Sequence, residues 1–394
     1  MSFQDIKAQD KPIQILKEYI KRSRLRGSYL FVGEEGVGKK LVAKTLAKAL
    51  NCEGQTLDSC DNCVPCLKIE KGQHPDIHII DGSTSSFDRL RTNPERVKRV
   101  EGSLTINPER SRRIEGPVSP GVNLEPGQRI VGQESDSIKI EHIRQLQKDI
   151  NLKPYTGEKK VFIIDNAHNL TAEAQNALLK ILEEPPDDSL IILISAKPAL
   201  LFKTIISRCR MMKFWPLPRT KLEEILKKDF HLDNNLAHFL AYSCEGRIGQ
   251  ALKLKDTDIL REKNRIIDAF TPLETMDRQK KDAVSLTGFT QVKRSGPDRL
   301  SIENRNNIRA HLNILAGWFR DMYLIKIGTP YSELINLDRK EELLRLMHRY
   351  AFTDLYEILH SLSDTLLYLE RNINVKLLLA NLREDISYGA RRAT

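Results

Sequence analysis

The sequence predicts an α/β nucleotide-binding layout followed by a largely helical second half. Three observations predict it. A glycine-rich run, GEEGVGKK at Gly33 to Lys40, sits between a short apolar segment and an amphipathic one. Two further short apolar segments follow, 161–164 leading into an acid and 190–195 ending in a serine. From Asn306 to Glu384, apolar residues recur at helical spacing almost without a break.

The 394 residues are enough for two or three domains, and 40% apolar with 29% charged residues describes a globular chain. A net charge of +10 suits a phosphate-bearing partner and suits a well-solvated basic surface equally. No apolar run approaches the ~18 residues of a membrane span. Met1 to Lys11 is polar, without the apolar core of a signal peptide. A cytoplasmic location with reduced thiols is therefore expected, with no membrane partner.

Ser28 to Val32, SYLFV, reads as a buried strand, and Leu41, Val42, Leu46 and Leu50 give Lys39 to Leu50 a helical stripe. Strand, glycine loop and helix together are the setting a phosphate-binding loop requires. Gly33, Gly36 and Gly38 let backbone amides turn towards phosphate oxygens, and Lys39 is placed to reach one. The pattern G-x-x-x-x-G-K-[ST] breaks at its last position. Lys40 stands where a Mg²⁺-binding hydroxyl belongs.

Val161 to Ile164, VFII, reads as a second strand, with Asp165 after it in the place of a Mg²⁺-supporting acid. The next residue is Asn166, which cannot act as a base near neutral pH. Lys40 and Asn166 together argue against efficient hydrolysis. ATP or ADP can still bind through the glycines and Lys39, or the pocket can stay empty; both readings remain open. Ala174, Leu178, Ile181 and Leu182 share a face of a helix that Thr171 can cap and that Pro185-Pro186 ends. Leu190 to Ser195 reads as a buried strand finishing in a hydroxyl, either near where a γ-phosphate could lie or, as an ordinary serine, at a surface strand end.

Cys52, Cys60, Cys63 and Cys66 follow the spacing C-x7-C-x2-C-x2-C. Four thiolates this close can wrap one tetrahedral Zn²⁺, and a closed four-cysteine set points to a structural rather than a catalytic ion. Cys209 and Cys244 stand apart and read as buried thiols. Residues 82–135 are polar, rich in Pro, Gly, Ser and Arg, and contain a near-repeat, NPERVKRVEG at Asn93 to Gly102 and NPERSRRIEG at Asn107 to Gly116. They read as a disordered insertion, and residues 283–303 as a shorter one.

Ala174 to Pro186, AQNALLKILEEPP, and Thr204 to Cys209, TIISRC, resemble the AAA+ subunits of the bacterial sliding-clamp loader of DNA polymerase III. His74 to Asp81, Ile138 to Leu146 and Arg371 to Leu382 resemble its delta-prime members. The resemblance implies a RecA-like P-loop parallel sheet at 1–216 carrying the zinc module at 52–66. It further implies a helical lid at 217–265, a linker at 266–303 and an all-α collar at 304–390. It implies a role in DNA replication in a hetero-pentameric ring with motor (gamma/tau-like) and delta subunits, acting on the sliding clamp and primer–template DNA. Any DNA-directed DNA polymerase (nucleotidyltransferase) label would then belong to the holoenzyme. Arg208 matches the arginine finger offered to a neighbour's nucleotide, and Arg247, in EGRIGQAL, matches the lid arginine that senses γ-phosphate. The alternative is an active AAA+ motor subunit or a helicase loader.

Overall fold

The computed structural model describes residues 1–22, 24–54, 57–81, 137–270, 302–370 and 375–392. The expected insertion at 82–135 lies outside the described residues, as does 283–301 of the second. The chain divides into two units, Met1–Trp215 and Pro216–Thr394.

The first unit is built on β1 (Gly27–Val32), β2 (Ile77–Ile80), β3 (Lys160–Ile164), β4 (Ser189–Ser195) and β5 (Arg210–Lys213). They form one five-stranded sheet in the order β2-β3-β4-β1-β5, and every pairing is parallel. Parallel strands are covered on both faces, so β3 and β4 are near-continuous apolar runs rather than alternating ones. Successive side chains still point to opposite faces. Tyr29, Phe31, Val161 and Ile163 pack on one face with Val42 and Leu46 of α2 (Lys39–Leu50). Leu30, Phe162 and Ile164 pack on the other with α4 (Ile140–Ile150) and α5 (Ala172–Glu183). α1 (Asp10–Lys21) adds Ile13 and Leu16 to the first face; α3 (Val64–Glu70) lies in the cysteine segment.

α5 shows how local signals position an element. Thr171 Oγ1 accepts from the Ala174 amide at 3.3 Å, satisfying one free donor of the first turn. Leu178, fully buried, contributes roughly 2 kcal/mol of apolar burial. Pro185 holds Glu184 out of the helical region, so the helix stops there. α6 (Lys203–Arg208) follows β4 and leads directly into β5.

The second unit is helical: α7 (Arg219–Lys228), α8 (Asn234–Ser243), α9 (Ile248–Leu254), α10 (Ile259–Phe270), α11 (Ile302–Ile327), α12 (Lys340–Leu346), α13 (Phe352–Glu370) and α14 (Val375–Arg392). The stripe Leu312, Leu315, Trp318 and Met322 of α11 is fully buried and shares a core with Leu355 and Leu362 of α13 and Leu382 of α14. Among the described residues no helix is long and apolar enough to cross a membrane.

Candidate nucleotide corner and cysteine site

β1 runs into the glycine loop, and the loop's conformation accounts for its glycines. A Cβ on Gly33 would meet the Phe214 carbonyl oxygen at 2.4 Å. Gly38, which precedes α2, has φ of 99°, a region costly for residues with a side chain. Lys39 follows and is almost fully buried. Its Nζ donates to the carbonyls of Gly33 at 2.6 Å and Glu34 at 2.5 Å, folding it back over its own loop. Burial pushes the Lys39 pKa down, and Asp165, Glu35 and Glu34 oppose that shift.

β4 lies between β1 and β3, so the ends of three parallel strands meet at one corner. Asp165, just past β3, pairs with Lys40: Nζ lies 2.9 Å from Asp165 Oδ2 and 3.8 Å from Asp81 Oδ2. Asn166 adopts a left-handed conformation, φ 50° and ψ 45°, and its amide donates to Asp165 Oδ1 at 3.0 Å. Asparagine tolerates that conformation better than most residues. Ser195, read as a surface serine, is fully buried. Its Oγ accepts from the Lys197 amide at 3.1 Å and lies 3.5 Å from His168 Nδ1. The strand end is covered by the turn at Ala167–Asn169, which the sequence did not announce.

His168 is the corner's unforeseen member. Burial lowers its pKa first, and the charges of Lys197 and Lys39 lower it further, so it faces the same corner as the loop lysine. It has no motif spacing to mark it; its one signal is to stand three residues beyond Asp165. Arg208 ends α6 at the surface. Its Nη1 donates to the Thr204 carbonyl at 3.1 Å and its Nη2 to Glu183 Oε1 at 2.6 Å. Arg247 belongs to the second unit, where it precedes α9 and its Nε donates to the Cys244 carbonyl at 2.9 Å.

The sulfurs of Cys52, Cys60, Cys63 and Cys66 lie within 4.8 Å of one another, with Cys52 and Cys63 at 3.9 Å. Tetrahedral Zn²⁺ with bonds of ~2.3 Å requires sulfurs about 3.8 Å apart, so the donor set and its size fit that ion. The amides of Asn62 and Cys63 stabilise the Cys60 thiolate and bring its pKa down to about 6, whereas burial pushes Cys66 up. Lys48 of α2 braces the module. It bonds Asp61, beside Cys60, at 2.8 Å and pairs with Glu70 at the end of α3; Lys44 reaches Glu70 at 3.0 Å. Of the separate thiols, Cys244 is buried, while Cys209 is partly exposed; burial raises their pKa values to about 11 and about 12.

A parallel sheet with a phosphate-loop sequence after β1, an acid after β3 and β4 between them defines an α/β protein of the P-loop class. Within that class, a family profile described as DNA polymerase III, delta subunit, matches residues 8–218, and the chain belongs to that family. A second profile, DNA polymerase III, delta subunit, C terminal, matches residues 285–383. The chain is similar to DNA polymerase III subunit delta' of Bacillus subtilis, 29% identical over 255 residues, which is 64% of this chain and 61% of that protein. It is similar to subunit tau of Escherichia coli, 29% identical over 66% of this chain and 33% of that one. It also matches subunit tau of Bacillus subtilis, 24% identical over 92% of this chain and 57% of that one. The aligned stretch thus spans less than two thirds of each relative's length.

Proposed function

We propose that the chain is a delta-prime-type subunit of a bacterial clamp loader. In this reading it is an AAA+ ring member that turns over ATP poorly itself and lends Arg208 to the nucleotide site of a neighbouring subunit. The ring, with motor (gamma/tau-like) and delta subunits, loads the sliding clamp onto primer–template DNA. The observation that carries the reading is the Lys40–Asp165 ion pair, which puts an ammonium where a catalytic Mg²⁺ would be held. Asn166 adds that the residue after the acid supplies no base.

Arg208 is suited to act in trans because a guanidinium keeps its charge and offers a planar fork of donors to phosphoryl oxygens. Thr204 and Glu183 hold it at the end of α6, on an exposed face. Cys52, Cys60, Cys63 and Cys66 would hold Zn²⁺, whose chemistry is to cross-link the segment between α2 and α3; with all four positions taken by protein, no catalytic role follows. The rival reading, an active motor subunit, is favoured by the alignment with a tau subunit over 92% of this chain.

Two measurements on one preparation separate them. The isolated chain should hydrolyse ATP negligibly; turnover that Lys39→Ala abolishes would establish the motor reading instead. In rings reconstituted with partner subunits, Arg208→Ala should leave assembly intact and lower clamp-stimulated hydrolysis. At the completed site the loss should approach the ~10³-fold typical of arginine fingers, diluted in total turnover by the other sites. Equal hydrolysis and equal clamp loading with wild-type and variant chains would remove Arg208 from the mechanism.

A further inference from the structure

In this fold the loop ordinarily ends in a hydroxyl that joins a strand-end acid in holding a divalent cation. The residues present do not fit that ion. β2 and β3 pair in parallel with Ile80 opposite Ile164, so Asp81 and Asp165, the next residues, leave the sheet side by side. Two adjoining carboxylates next to a phosphate loop are a donor set for a hard cation. Lys40 Nζ already occupies it, 2.9 Å from one carboxylate and 3.8 Å from the other. A divalent ion entering there would lose its hydroxyl ligand and meet a fixed positive charge.

We propose that Lys40 is a tethered substitute for the divalent cation, and that the loop binds a nucleoside diphosphate without metal. The ammonium offsets one of the two negative charges of Asp81 and Asp165, which would otherwise repel phosphate more strongly. Lys39 needs only to exchange the Gly33 and Glu34 carbonyls for phosphate oxygens. The loop also carries Glu34 and Glu35, both exposed, which oppose an anion and favour the less charged diphosphate over the triphosphate. This deepens the reading of a subunit that turns over ATP poorly, and it does not depend on Arg208.

The test is calorimetric titration of the full chain with ADP, in buffer freed of divalent cations by resin and again with saturating Mg²⁺. A resin-treated buffer spares the cysteine site, which a strong chelator would strip. Wild-type Kd should change by less than about threefold between the two buffers. Lys40→Thr restores the hydroxyl and uncovers both carboxylates, so its ADP affinity should become at least about tenfold tighter with Mg²⁺ than without. A wild-type chain that needs Mg²⁺ to bind ADP overturns the proposal, and so does the absence of ADP binding in both buffers. A correctly folded Lys40→Thr chain indifferent to Mg²⁺ overturns it as well. If that variant fails to fold, the wild-type comparison alone decides. Arg208 acts in a neighbour's site, so reconstituted-ring hydrolysis can support the subunit reading while ADP titration refutes this one.

Discussion

The two ends of α2 use the same side chain in opposite ways. At the N-terminal end Lys40, 48% exposed, pairs with two acids at strand ends. Near the C-terminal end Lys48, 2% exposed, pairs with Asp61 and Glu70 on either side of the cysteine loop. At the first end a lysine sits on two acids suited to a cation; at the second it braces residues that can hold one. One end of a helix has lost the hydroxyl ligand of its expected cation and keeps two acids under an ammonium, while the other keeps a complete donor set. The comparison teaches that a motif must be judged by its ligands rather than by its helix.

The largest effect that would sharpen this comparison comes from the cysteine end. Cys66→Ser should abolish stoichiometric zinc, read by metal analysis of protein purified under reducing conditions. It should also destabilise the first unit by roughly 5 kcal/mol, short of the ~10 kcal/mol or more of isolated zinc fingers because the sheet folds around its own core. Undiminished zinc would show that Cys66 is not a ligand.

Next is the same substitution at both ends. Lys48→Met removes a buried ammonium from Asp61 and Glu70, which keep the N-terminal amine and Lys44, and should cost roughly 2 kcal/mol in urea unfolding. Lys40→Met loses only a half-exposed pair and should cost about 1 kcal/mol or less. Equal costs would break the distinction between the ends.

The smallest effect is in acid. Hydrogen bonds from Lys48 and then Lys44 hold Glu70 at about 2, below its ordinary 4.5. A depressed carboxylate contributes stability that is present above the unfolded value and lost as pH falls through the folded one. The stability of wild type minus that of Glu70→Gln should therefore be constant above about pH 4.5 and vanish towards pH 2. Metal release, common to both proteins, cancels in that difference. A difference that persists unchanged at pH 2 would mean Glu70 acts through packing.

Much of the first unit is legible because its signals are local. Strand, glycine loop and helix at 28–50 follow from apolar runs and glycines, and the start and stop of α5 from Thr171 and Pro185. The clustering of four cysteines follows from their spacing. Other features lie in long-range pairing. The strand order places Asp81 beside Asp165, although neither is near the other in sequence, and nothing in GEEGVGKK says which acid Lys40 meets. β5 escapes notice because Arg210–Lys213 is four residues at a sheet edge, only one of them buried, without an apolar run. The burial of Ser195 depends on a turn three residues long, and that of Lys48 on a loop whose path the cysteines fix.

Arg208 rests on Glu183, an exposed carboxylate of its own chain. A contact of that kind is worth about 1 kcal/mol or less, so the guanidinium is parked rather than locked. If Arg208 serves a neighbour's nucleotide, a polyphosphate of higher charge could draw it away from Glu183 and the Thr204 carbonyl at small cost, and they would take it back once that anion had left. The side chain thus has a resting place and a low threshold for leaving it.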